Sequence, residues 1–328
     1  MTGENQAATQ GGERGQKSKP LSEAEGGILD QSEGYEMITT GVPEKGAYTL
    51  VGGYLEKKPD GESVLHNKVF LRAMSGHEED LLSNDGVPFF TRMTGILAQC
   101  CERIGDFVDR KDVIRAIRGL PAGSRQHLLI CLRRTSHWRA TKDIYDMKVE
   151  CPKCEKVSSH KVNLADLERF EMPDPLVRMF EETLPDSGKK VVWRITESDQ
   201  DEIISAVVKH ETAQAELLTW SILIRLVQFD GETIEVKPGE VVDPENGNLL
   251  KNFPKRVLEL RQAIKNLSVD DRQYLRDRFE ENEPGIDTDL DFKCPKCKRE
   301  FLGRLDLGQR SFFFPSGTQK RSKRRSFI

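Results

Sequence analysis

The chain has 328 residues, 37% of them hydrophobic and 32% charged, with a formal net charge of −4. That length admits one large domain or two ordinary ones, and the charge carries no chain-wide nucleic-acid signature. No run approaches the roughly 18 apolar residues of a membrane span, so no helical membrane segment is predicted.

Residues 1–34 are rich in Gly, Gln, Glu and Ser, with almost nothing to bury, and read as a disordered N-terminal arm. The arm lacks the apolar stretch of a signal peptide. The first predicted element is a hairpin, Tyr48 to Leu55 and Val64 to Ala73, joined by KKPDGES with its Pro-Asp-Gly turn. VFLRAMSGHEEDLL (Val69 to Leu82) then reads as a strand, a polar turn and an acidic helix start. GILAQCCERIGD is predicted as an apolar helix ending at Gly105, and LPAGSRQHLLICLRR as a helix beginning near Leu120. Cys100, Cys101 and Cys131 fall in these apolar stretches and are expected to be buried free thiols. KVECPKCEKVSSHKV (Lys148 to Val162) reads as strand, CPKC knuckle, strand.

The same order then recurs. VVWRITESDQDEII (Val191 to Ile204) resembles the first strand–turn–helix, SILIRLVQFDGE parallels GILAQCCERIGD and ends at Gly231, and LSVDDRQYLRDRFEE lays its Leu267, Arg272-Gln273 and Leu275 on Leu120, Arg125-Gln126 and Leu128. A second CPKC follows in LDFKCPKCKREFLGRLDL (Leu290 to Leu307), about 140 residues after the first. One such match is weak; four in the same order point to an internal duplication.

A CxxC pair supplies two thiolates and a structural zinc wants four. Cys151, Cys154, Cys294 and Cys297 are therefore the candidate ligands of one shared zinc, each copy contributing one knuckle. Iron is the competing metal, and His160 is a nearby alternative ligand. Four thiolates leave no open position for catalysis, and neither a phosphate-binding glycine loop nor a nucleophile motif stands elsewhere, so no catalytic residue and no enzyme activity are expected. Nucleic-acid binding is the second use of a zinc ribbon. The lysines around the knuckles are offset by Glu150, Glu155, Asp291 and Glu300, which leaves the basic tail KRSKRR (Lys320 to Arg325) as its best support. The third use is structural, with zinc binding serving as folding free energy. RSFFFPSG remains: Phe312, Phe313 and Phe314 cannot all face one way, so some plug a core or, with Pro315, they dock into a partner.

The LRAMSGHEEDLL turn, the LxxxxRQxLL helix leading to CPKC, the segment PGIDTDLDFKCPKCKREF and the RSFFFPS ending together resemble a family of contractile-tailed phage proteins, the baseplate hub or hub-assembly proteins. The resemblance spans roughly residues 64 to 318. It implies a protein of the tail baseplate, in the virion and in the host cytoplasm during assembly, whose partners are other tail or hub proteins. The alternative is a zinc-ribbon nucleic-acid-binding protein using its basic C-terminal tail. The expected architecture is α+β, two pseudo-repeated helical units with small antiparallel strand pairs joined by a four-cysteine zinc ribbon. Its expected divisions are the arm 1–34, a first repeat 35–172, a second repeat 173–310 and the aromatic and basic tail 311–328. The oligomeric state is not legible.

Overall fold

The first hairpin follows from its turn. Asp60 accepts from the Glu62 N–H and Gly61 sits at φ +88°, a left-handed conformation that favours glycine. The turn folds β1 (Ala47–Lys57) antiparallel onto β2 (Ser63–Leu71), pairing Lys57 with Ser63 and Ala47 with Phe70. The computed structural model describes residues 46–84, 89–136, 143–210, 213, 215–243, 247–307 and 310–313. The N-terminal arm, Phe314, Pro315 and the KRSKRR tail lie outside these residues.

After β2 come α1 (Gly76–Ser83) and α2 (Phe89–Cys100). Glu78 anchors the start of α1, accepting from the Ser75 N–H and hydroxyl at 2.7 Å each and from Arg72 at 2.8 Å. The Arg72 guanidinium, aided by Ser75, overcomes burial and holds the Glu78 carboxyl down at about 2. The expected helix through Gly105 stops earlier: α2 ends at Cys100, and Cys101 begins β3 (Cys101–Ile104), which joins the hairpin in the order β1-β2-β3. A short, largely apolar stretch with no Gly or Pro at Cys100-Cys101 does not distinguish a helix end from a strand start, which is why the switch was not visible. Asp109 caps α3 (Arg110–Arg118) by accepting from the Lys111 N–H. α4 (Ala122–Ser136) follows and is buried on nearly every side from Gly123 to Arg133. Its Ser124 and His127 bond the Val51 backbone of β1.

Two short strands, β4 (Ile144–Glu150) and β5 (Val157–Asn163), carry the first knuckle, and β6 (Arg169–Phe170) follows. A second hairpin, β7 (Met179–Thr183) and β8 (Lys190–Arg194), leads to α5 (Ser198–Lys209) and α6 (Leu217–Leu223). β9 (Leu226–Phe229) and β10 (Glu232–Thr233) complete a sheet in the order β10-β9-β8-β7, with α7 (Pro238–Val241), α8 (Lys255–Lys265) and α9 (Val269–Asn282) beyond it. Here again the predicted helix SILIRLVQFDGE breaks into a helix end and a strand. α9 packs on the β7-β8 hairpin: Asp271 accepts from the Asp186 and Ser187 N–H groups in its turn, and Tyr274 and Arg278 reach Glu182 of β7. Finally β11 (Gly285–Ile286) pairs with β6, and β12 (Asp289–Lys293), β13 (Glu300–Arg304) and α10 (Arg310–Phe313) close the described chain. Among the described residues no helix is long and apolar enough to cross a membrane.

The fold is α+β, and its three-stranded and four-stranded sheets share an irregularity. Val69 pairs with Ile104 and Leu71 with Cys101, with a register shift after Phe70; Val191 pairs with Phe229 and Trp193 with Leu226, with a shift after Val192. Two apolar cores result. One holds residues from Leu50 to Leu167 together with Ile286 to Phe313, the other residues from Met172 to Phe279. The chain thus leaves the first core, builds the second and returns.

Between the cores, charged groups are drawn in and paired. Arg125 pairs with Asp201, and Arg225 grips Glu283 through two bonds of 2.9 and 2.8 Å. Burial raises the Glu283 carboxyl, but Arg225 and the Thr196 N–H and hydroxyl outweigh it and hold the group below the usual carboxylate range. Next to this pair the backbone at Pro284 crosses the first turn of α4. A Cβ at Gly123 would overlap the Pro284 carbonyl.

Gly123→Ala is therefore expected to lower stability by about 2 kcal/mol or more in urea denaturation, because backbone has to move to admit one methyl group. Glu78 gives a pH test. Its pKa is lower folded than unfolded, so its contribution is complete above about pH 4.5 and is lost as pH falls towards about 2. Glu78→Gln should flatten the drop in urea midpoint between about pH 6 and about pH 3.

Candidate metal centre

Each knuckle is built by its backbone. In the first, the Cys151 N–H donates to the Lys156 carbonyl and the Glu155 N–H to the Cys151 carbonyl; in the second, Cys294 N–H donates to Arg299 and Lys298 N–H to Cys294. Both loops close through a residue in the left-handed region, Glu155 at φ 55° and Lys298 at φ 60°. A non-glycine residue there costs on the order of 1 kcal/mol, and the loops accept that cost at the same position twice. The flanking strands also share one register: Glu150 pairs with Val157 and Val149 with Ser158, while Lys293 pairs with Glu300 and Phe292 with Phe301.

The two hairpins pack face to face. The Phe292 ring lies 4.8 Å from the His160 ring, and a Cβ on Gly303 would come within 2.9 Å of Phe292 and 3.0 Å of Val149. Gly303 is a residue that a cysteine-based reading passes over; its one sign in the sequence is a glycine inside the otherwise bulky strand EFLGR. With no side chain at that point, the hairpins come close enough for their sulfurs to meet. All four Sγ atoms of Cys151, Cys154, Cys294 and Cys297 lie within 4.8 Å of one another, with Cys151–Cys297 and Cys154–Cys294 each at 3.6 Å. A tetrahedral ion with metal–sulfur bonds of about 2.3 Å separates its sulfurs by about 3.8 Å, so the donor set fits.

The electrostatics fit as well. The Cys297 N–H, 3.5 Å from the Cys294 sulfur, and the Lys296 N–H outweigh burial and hold the Cys294 thiol down at about 6. Burial raises the Cys151 thiol, but the Lys153 and Cys154 N–H groups overcome it and leave the group below its ordinary value. At Cys154 the Lys156 N–H lowers the thiol, but burial and the three neighbouring sulfurs push it up to about 11. Four sulfurs this close cannot all ionise alone; a divalent cation is what such a set lacks. His160 stands outside the cluster and bonds Ser158 at 2.8 Å.

The remaining cysteines behave as buried thiols, with burial pushing Cys100, Cys101 and Cys131 up to about 12. The aromatic motif resolves towards the core for two of its residues. Phe312 and Phe313 are fully buried, with Phe312 edge-on to Tyr145 at 5.4 Å and its carbonyl accepting from Arg133 Nε at 2.5 Å. Both side chains pack into the first core over α4, the first of the two readings open for this motif. Phe314 and Pro315 lie beyond the described residues.

A family model described as T4 bacteriophage base plate protein matches residues 64–313. The chain belongs to this family. The match runs from β2 through both knuckles to the buried Phe313, so all four cysteines of this base plate protein fall inside it while β1 precedes it. No curated protein and no solved structure matches the chain.

If the four sulfurs share one ion, Cys151→Ser and Cys294→Ser should each abolish metal binding, measured as metal content by mass spectrometry of the purified protein. They should also lower the thermal midpoint to a similar degree. Loss of metal from one variant and not from the other would show that the four sulfurs do not share one ion equally.

Proposed function

We propose that the chain is a non-catalytic structural or assembly protein of a contractile phage tail, acting at the baseplate hub by binding other tail proteins, with one structural zinc held by Cys151, Cys154, Cys294 and Cys297. Membership of the base plate family supports the tail role, and the convergence of the four cysteines supports the metal. Such a zinc supplies folding free energy, tying the hairpin after α4 to the hairpin after α9. Because thiolates fill all four positions, it has no site for water or substrate.

We read the two halves as copies of one unit. The recurring element order, the equal register shifts after Phe70 and Val192, and the parallel contacts of α4 with β1 and of α9 with β7 support this. Function in the virion, with passage through the host cytoplasm during assembly, follows from the same reading. The basic tail that nucleic-acid binding would use lies outside the described residues.

Sedimentation of lysate from cells infected with a phage that carries this gene tests the proposal. The protein is expected to co-sediment with tail proteins in baseplate-sized particles, and the Cys294→Ser variant to sediment alone. A protein that remains apart from tail proteins and is retained on nucleic acid in a salt-sensitive way would sink the reading.

A further inference from the structure

The two halves enclose a second feature, away from the cysteines. A polar cleft of about 640 Å³ opens between the end of β1, the C-terminal turn of α3 and the junction of β8 with α5. Four cations line it, Lys57, Arg115, Arg178 and Arg194, against two carboxylates, Glu56 and Glu197. Both carboxylates are already engaged by the fold: Glu56 accepts from or pairs with His66 at 3.0 Å, and Glu197 closes the capping box of α5.

The cations are less well served. Arg115 and Arg194 pair at one edge, with Asp112 and Glu235 at 2.8 Å each. The Arg194 Nε is buried without a hydrogen-bond partner among the described residues. Arg178 is the centre of the imbalance. Its Nη2 donates to the Gly52 and Gly53 carbonyls at 2.7 and 3.0 Å and its Nη1 reaches the Met172 sulfur at 2.8 Å. No ion pair joins it to a carboxylate among the described residues. Burial accordingly holds the Arg178 guanidinium down at about 10. The nearby Glu197 carboxylate offsets this only in part, and a cation whose direct contacts are neutral carbonyls and a thioether is stabilised by any further anion that enters.

We propose that this cleft is a docking site for a carboxylate-bearing segment, an acidic stretch of a partner protein, with Arg178 and Arg194 as its inner contacts and Lys57 and Arg115 at its rim. Planar guanidinium groups match carboxylates in two-point contact. Nucleic acid is a poorer fit, since the single aromatic ring of the lining, Tyr54, is already packed against His66 and Phe107. The proposal rests on the binding role argued above but is independent of the metal.

Fluorescence anisotropy with a labelled octa-glutamate peptide tests it, with octa-glutamine and a single-stranded oligonucleotide of equal charge as comparisons. The glutamate peptide is expected to bind, octa-glutamine not, and added salt to weaken binding. Lys57→Glu and Arg178→Gln should each weaken it by about tenfold. Arg178 also braces β1, so Lys57→Glu, an exposed change expected to leave the thermal midpoint unmoved, decides the matter if Arg178→Gln does not fold. Absence of glutamate-peptide binding, indifference to Lys57→Glu, or tighter binding of the oligonucleotide would each overturn the proposal. None of these outcomes bears on sedimentation with the baseplate, so failure here leaves the tail role standing.

Discussion

Cys154 and Cys294 are 140 residues apart in the chain and their sulfurs are 3.6 Å apart. Closing a loop of that length costs about 4 kcal/mol from length alone, before any contact made inside it. The chain meets this cost with geometry assembled beforehand. Two hairpins of equal register present two knuckles of equal hydrogen bonding, and a glycine at 303 lets them touch. A zinc held by the four thiolates, as proposed above, would contribute on the order of 10 kcal/mol, enough to make the closure decisive. The return of residues Ile286 to Phe313 to the first core is the same event seen from the packing side, since the second knuckle lies on that path.

Seen this way, the second core is an insertion that the closure has to accommodate, and the buried charges between the cores show how. Arg225 with Glu283, and Arg125 with Asp201, join elements that the sequence separates widely. Ion pairs of this kind contribute little net stability relative to apolar packing, but they penalise misplacement heavily because a shifted partner leaves a buried charge alone. They suit a joint whose register matters more than its strength.

How much of this was legible depended on the distance over which each feature is encoded. The knuckles were readable because ligand chemistry sits in four consecutive residues, and pairing them across the chain required only that zinc wants four. The β1-β2 hairpin was readable from Pro59-Asp60-Gly61, whose turn conformation is local. The switch from helix to strand between Cys100 and Cys101 was not, because no Gly or Pro marks it and the strand exists only through pairing with β2. Phe312 and Phe313 were ambiguous for the same reason: their burial is decided by Arg133 and Tyr145, far away in the chain. The arginine cleft was invisible, since Arg178 stands out only by direct contacts that are neutral carbonyls and a thioether, and sequence displays neighbours along the chain, not partners in space.

The separation of the knuckles has a consequence on the ribosome. When Cys151 and Cys154 have been made, Cys294 is still 140 or more codons away. At about 5–20 residues per second, the first half-site waits about 7–28 seconds for its complement. A chain that is cut short, or that stalls before its second CPKC, holds two thiolates and no complete site. An ion that needs all four sulfurs would thereby distinguish finished molecules from fragments, a form of length control that operates before any partner is met.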